Sequence, residues 1–256
     1  MQDLRHHYLL FRLYGAMASW GGIAVGEFRS SQMQPTRSAV LGLLAAALGI
    51  RRDQESAIHA LSEQVTFAVR LDLPGNSLRD YHTIQTPSAE KRVFRTRREE
   101  VEQGTLNTIL SSRDYRTDSG ATIALQVHES AQHRVYGWQS ALRQPALPLY
   151  LGRKSCPLAL PTDPTVVEAA HFAEAFAQYP GCEQQLNIES QIKPGSQVRF
   201  FWEGSDTSLN GQVNMTAPQH DLLINRRRWQ FLPRDEHQSS FLRHADAEPN
   251  ADGEEA

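Results

Sequence analysis

The stretch "DQESAIHALSEQVTFAVRLDL", residues 53–73, changes its hydrophobic period midway, and that change decides the fold. Up to Gln64 the apolar residues Ile58 and Leu61 share one helical face. From Val65 onward Val65, Phe67, Val69, Leu71 and Leu73 alternate, the period of a strand with one covered face. Just upstream, "QPTRSAVLGLLAAALGI" (34–50) reads as a helix, with Pro35 at its start and Thr36 or Ser38 able to cap the free amides. Ala39, Gly42, Ala46 and Gly49 form a stripe of small residues along it. An interior glycine costs a helix about 1 kcal/mol relative to alanine, so the stripe predicts that this face lies close on a sheet or a ligand. Further upstream, "HYLLFRLYG" (7–15) reads as a buried strand.

Downstream, residues 74–120 are polar and show little alternation. "ATIALQVHE" (121–129) then reads as a strand, "SAQHRVYGWQSALRQ" (130–144) as a helix and "PLYLG" (148–152) as a short strand. The order β-α-β-β-α-β is the α+β pattern of ferredoxin-like folds, which include the RNA-recognition fold (RRM), here with a long insertion between the two middle strands. Beyond Leu158 the pattern is less regular: "TVVEAAHFAEAFAQ" (165–178) reads as a helix, "SQVRFFWEG" (196–204) as a strand and the acidic tail 244–256 as disordered. The expected organisation is a palm over 1–160 with its insertion at 75–118, a smaller irregular α/β extension over 161–243, and the tail.

Composition bounds the function. At 256 residues, with 40% hydrophobic and 21% charged, the chain is ordinary for a soluble protein, and no apolar run approaches the ~20 residues that cross a bilayer. Cys156 and Cys182 lack a paired CxxC framework, so reduced thiols, no metal or small-molecule cofactor and a cytoplasmic location are expected. The net charge of −3 hides an asymmetry: residues 1–160 hold 19 Lys and Arg against 14 Asp and Glu, whereas 161–256 hold 7 against 15. The basic half is the candidate surface for an anionic partner. Of its cations nearly all are Arg, suited to bidentate phosphate contacts and to stacking on bases; a coding bias toward Arg explains the composition equally well.

The densest cluster is "KRVFRTRR" (91–98), in which Lys91, Arg92, Arg95 and Arg97 surround Phe94. Cations that neutralise phosphates beside an aromatic that stacks on bases suit single-stranded RNA. The competing reading is a solvated helix face, because Glu99, Glu100 and Glu102 follow at once. "LRDYHT" (78–83) enters the insertion and "SSRDYRTDSGATIAL" (111–125) leaves it, each carrying Arg, Asp and an aromatic; "YLGRKSCPL" (150–158) frees Arg153 and Lys154 to meet an anion.

Taken together and in order, "RLYGAMASWG", "PTRSAVLGLLAAALGI", "LRDYHT", "RDYRTDSGATIAL" and "PLYLGRKSCPL" resemble the motifs of the CasD subunits of type I-E CRISPR Cascade, over roughly residues 7–160. The resemblance implies a ferredoxin-like palm with a projecting thumb at 75–118. It implies a non-catalytic subunit that holds the 5′ handle of the CRISPR RNA and meets the large subunit and the last backbone subunit, with target DNA reached only through the assembled complex and no membrane partner. Carried onto this sequence, it points to Trp20, Arg37, Ser38, Arg79, Tyr81, His82, Arg113, Tyr115, Arg153 and Lys154 as RNA-binding residues. "KRVFRTRR" has no fixed counterpart in that family, and its role rests on its charge and Phe94.

In this reading the free amides of the 34–50 helix, with Arg37 and Ser38 beside them, form a phosphate site. The alternative is a metal-independent ribonuclease that processes CRISPR precursor RNA, with His82 and Tyr81 or Lys91 as acid and base. No HExxH and no Ser-His-Asp order supports it.

Overall fold

The computed structural model describes residues 5–22, 24, 26–87, 93–102, 106–188, 196–211, 213–225, 228 and 230–242. The period change at Gln64 is where a helix gives way to a strand: α2 (Glu55–Glu63) is followed at once by β3 (Val65–Leu73). β3 lies beside β5 (Leu106–Val127), β5 beside β1 (His6–Ala18), and β1 beside β6 (Thr165–Ala169), each neighbour antiparallel. This order, β6-β1-β5-β3, with α1 (Arg37–Ala47) and α4 (Val135–Arg143) between strands, is consistent with ferredoxin-like topology. Past β3 the sheet continues through β7 (Gln197–Trp202), β9 (Gln230–Leu242) and β8 (Val213–Asn225).

Both faces of the central strands are covered. Leu9, Phe11 and Leu13 of β1, Phe67 and Val69 of β3, and Ile123 and Leu125 of β5 pack against Val40, Leu44, Trp138 and Leu142 of α1 and α4. On the opposite face Tyr8, Leu10, Ala68 and Ala124 meet Trp202, Phe172 and Phe176, the last two from α5 (Phe172–Ala177). A strand covered on both sides needs no polar face, which is why "HYLLFRLYG" reads as an unbroken apolar run.

Three expectations are corrected. The polar stretch after Pro74 is regular: β4 (Asn76–Pro87) pairs with the first half of β5 from Asn76↔Thr117 to Pro87↔Leu106, a long two-stranded ribbon. Its period is hidden because most of β4 faces solvent. "PLYLG" is not a strand but carries a single bridge, Tyr150↔Pro157. The strand beside β1 is instead β6, within the segment read as a helix, paired from His6↔Ala169 to Leu10↔Thr165. Val166 and Val167 favour it as β-branched residues, and α5 begins only after His171, whose side chain accepts from the Glu174 amide.

The small-residue stripe of α1 is divided: Ala39 packs against the core, whereas Gly42 does not lie against the sheet. Gly42 is exposed, and a Cβ there would meet nothing within 4 Å. Gly49 follows the helix with φ +73°, a conformation that favours glycine, and its added Cβ would come 3.3 Å from Cβ of Ala146. Lys91, Arg92 and the tail 244–256 lie outside the described residues.

Candidate nucleic-acid interface

At the base of the ribbon a short strand, β2 (Phe28–Arg29), joins β5 in parallel on the side opposite β4. Across these three strands Tyr81 pairs with Ser112 and Ser112 with Phe28, so two aromatic side chains flank a serine in one row on one face. The adjacent row of that face pairs Arg79 with Asp114. Arg79 Nε donates to Oδ1 of Asp114 at 2.8 Å and Nη2 to Oδ2 at 3.2 Å, a bidentate clamp, while its guanidinium carbon stands 4.7 Å from the centroid of Phe28. The hydrogen bond from Arg79 holds the Asp114 carboxyl below the ordinary carboxylate range against the opposing effect of burial, and the charges of Arg79 and Arg153 add to it. Tyr81 also lies close enough to Arg79 for its phenol to favour the charged guanidinium.

One residue further along β5, Tyr115 points the other way and is buried. The guanidinium of Arg153 covers its ring at 4.7 Å. Arg153 reaches this position because Gly152 turns the chain with φ +82°; a Cβ there would fall 1.9 Å from the Ser19 carbonyl oxygen, so only glycine fits. The Ser19 amide is bonded to the Leu151 carbonyl at 3.0 Å, and the Ser19 hydroxyl donates to the Asp114 carbonyl at 3.3 Å, tying this loop to β5. Arg153 Nη2 donates to the Arg29 carbonyl at 3.5 Å. Its Nη1, and Nε of Arg113, are buried without a hydrogen-bond partner among the described residues. A buried, unpaired guanidinium nitrogen carries a desolvation penalty that a bound anion would relieve. Lys154 beside them is exposed.

At the far end of the ribbon, α3 (Arg97–Val101) is capped by Thr96, whose hydroxyl accepts from the Glu99 amide at 3.3 Å. Arg97 Nη1 pairs with Glu100 at 2.7 Å and its Nη2 with the Gln85 carbonyl, while Arg98 pairs with Glu102 at 2.7 Å. The Arg95 amide donates to Glu99 at 3.1 Å. Arg97 and Arg98 are therefore engaged as the solvated-face reading requires; Phe94 is half-buried.

The remaining sequence candidates lie elsewhere. Arg37 is interior, not a surface cation: it is 4% exposed, with Nε on Glu203 at 2.9 Å, Nη1 on the Ser62 hydroxyl at 2.7 Å and Nη2 on the Ser62 carbonyl at 2.8 Å. An anion does occupy the start of α1, but it is the protein's own: Oδ2 of Asp221 accepts from the Arg37 amide at 2.7 Å. Ser38 is half-buried, 3.4 Å from the Thr36 hydroxyl. Trp20 is buried in the core beside α1 and is bridged to Gln32, so its ring is closed to a base. His82 is on β4, its Nε2 2.7 Å from Oδ2 of Asp80. Sequence reasoning missed Phe28 and Arg29, because a two-residue strand leaves no periodic signal.

Among the described residues no group of three or more His, Cys, Asp or Glu is placed to hold a metal ion, and no helix is long and apolar enough to cross a membrane. Fold and site together define an α+β protein with a projecting β ribbon whose base gathers guanidinium groups and aromatic rings. The chain belongs to the family described as "CRISPR-associated protein (Cas_Cas5)", whose match spans residues 8–235. It is 36% identical over 201 residues to the "CRISPR system Cascade subunit CasD" of Escherichia coli (strain K12), a match covering 75% of this chain and 85% of that protein. Two solved structures, each 23% identical, share its fold. A chain of a "CRISPR RNA-guided surveillance complex" aligns with TM-score 0.56 over 92% of this chain and 89% of its own, and a "Crystal structure of Cas protein" with TM-score 0.58 over 92% and 94%.

Proposed function

We propose that this chain is a non-catalytic RNA-binding subunit of a type I-E Cascade complex that holds the 5′ handle of the CRISPR RNA at the base of its ribbon. The observation that carries this reading is the pair of buried, unpartnered nitrogens on Arg113 and Arg153 beside Tyr115, in a protein of this family. Two guanidinium groups with no salt bridge among the described residues suit the phosphates of a single strand. In this reading residues 1–160 supply the β-α-β-β-α part of a ferredoxin-like palm with a thumb at 75–118, and β6 of the 161–243 extension completes the pattern at the palm's edge. The protein would be cytoplasmic, would meet the large subunit and the end of the backbone, and would reach target DNA only within the complex.

The test is binding of the purified chain to a single-stranded RNA with the repeat-derived handle sequence, against a scrambled RNA of equal length, at neutral pH. Intact RNA and preferential binding support the reading; equal, weak binding to both refutes it. Site-specific cleavage lost in His82→Ala would favour the ribonuclease instead.

A further inference from the structure

Resting on that RNA-binding reading, we infer that Phe28, Arg79 and Tyr81 form a stacking platform for one unpaired base of the bound strand, in which Arg79 acts through its flat face and not as a phosphate clamp. The geometry that separates these roles is the engagement of the guanidinium edge. Arg79 gives Nε and Nη2 to Asp114, so the side-on fork of the guanidinium is already spent on a carboxylate. Its π-face lies over the Phe28 ring, with the guanidinium carbon 4.7 Å from the ring centroid. A clamped guanidinium over a ring is a pre-ordered layer on which a base can stack, with little side-chain entropy left to lose.

The surroundings fit a base better than a protein side chain. Phe28 is 49% exposed and Tyr81 59% exposed, on either side of the small Ser112 in the same row. Two half-exposed rings with a guanidinium in the adjacent row of the same face form an amphipathic surface that suits a heterocycle. Arg113 and Arg153, each with one nitrogen lacking a hydrogen-bond partner among the described residues, lie on the opposite face of the ribbon with Tyr115, so the sugar-phosphate would reach them around the β2 edge. Arg113 pairs with Arg29 on β2, the residue after Phe28, so the arginine pair and the stacking row lie one register apart and on opposite faces of the ribbon.

The experiment uses the full chain and a handle RNA in which each position in turn is made abasic, with affinity measured by filter binding at several salt concentrations. Phe28→Ala and Arg79→Lys should each weaken binding of intact RNA about tenfold without changing the salt slope, because stacking releases no counterions. Phe28→Tyr, which keeps a ring, should restore it. One abasic position should weaken wild-type binding by a similar factor and cost Phe28→Ala nothing further. Unchanged melting of the variants ensures that the loss is local. Wild-type affinity in both variants, losses that add at every abasic position, or a slope flattened by a full contact would overturn the platform while leaving RNA binding standing. Intact RNA affinity together with loss of a co-expressed partner subunit in Phe28→Ala would assign the patch to a protein contact and overturn it as well. Absence of RNA binding by the wild type would remove the underlying reading itself.

Discussion

The guanidinium of Arg37 and the carboxylate of Glu203 meet at 2.9 Å across 166 residues of sequence, joining the first residue of α1 to the chain just past β7. Glu203 also accepts from the Phe67 amide at 2.8 Å, and Arg234 links Asp221 at 2.7 Å to Glu236 at 2.9 Å within the same buried group. Removing one partner from a buried ion pair strands the other charge, which typically costs about 3–5 kcal/mol. Arg37→Met should therefore lower the urea midpoint strongly, by ~3 kcal/mol or more in unfolding free energy, while the salt slope of RNA binding by the remaining folded protein stays at the wild-type value. A stable variant with a flattened slope would restore Arg37 to the RNA surface.

The same group makes a pH prediction. Burial pushes the Glu236 carboxyl up, and the charge of Arg234 only partly opposes it. An ordinary glutamate in the unfolded chain ionises first, so between that value and the raised native one the folded state holds the extra proton. Glu236 thus contributes stability that is fully present below the ordinary value and is lost as pH rises through the raised one. Asp114 and Glu174, both held low, act with the opposite sign and at lower pH. Thermal melts of wild type and Glu236→Gln between about pH 4 and 7 test this: the decline with rising pH should be shallower in the variant, and parallel curves would place the proton elsewhere.

Why some of this was legible and some was not follows from where each residue finds its partner. The α2-to-β3 change of period is local and covered on a predictable face, so its boundaries were readable to within a residue or two. β6 reads as helix because Glu168, Ala169 and Ala170 run straight into a helical pattern, and only the open edge of β1 makes a strand of residues 165–169. Arg37 looked like a surface cation because its carboxylate partner lies far along the chain. Arg79, Arg113 and Arg153 were found through motif order; that Arg79 is clamped by Asp114 while the others keep unpartnered nitrogens is a property of side-chain placement that no spacing encodes.

That distinction sets unequal expectations for arginines that the sequence treats alike. Arg113 and Arg153, each converted to Gln, should together flatten the slope of log affinity against log salt by about 1.4, from ~0.7 per phosphate on a single strand. Arg97→Gln should flatten it by much less than one contact, because Glu100 and the Gln85 carbonyl already engage that guanidinium. Filter binding at four or more salt concentrations separates the two; equal slopes for Arg97→Gln and Arg153→Gln would show that RNA displaces Glu100 and draws α3 into the interface.

Gly152 tests whether the loop, and not merely its cations, builds the site. Its φ of +82° costs another residue about 1 kcal/mol, and a Cβ placed 1.9 Å from the Ser19 carbonyl oxygen forces the 151–156 loop to move, adding ~2 kcal/mol of overlap strain. The loop is closed on itself by the Leu151 amide on the Cys156 carbonyl at 2.7 Å and the Cys156 amide on the Arg153 carbonyl at 2.9 Å, so displacement of Gly152 carries Arg153 off the Tyr115 ring as a unit. Gly152→Ala should fold at reduced stability, lose about as much RNA affinity as Arg153→Gln, and show the same flattening of the salt slope. Adding Arg153→Gln to it should then change affinity little further, since the contact is already gone. If Gly152→Ala lowers the melting temperature yet binds RNA with the wild-type slope, Arg153 reaches the phosphate from more than one loop position, and the fixed stack on Tyr115 is not what presents it.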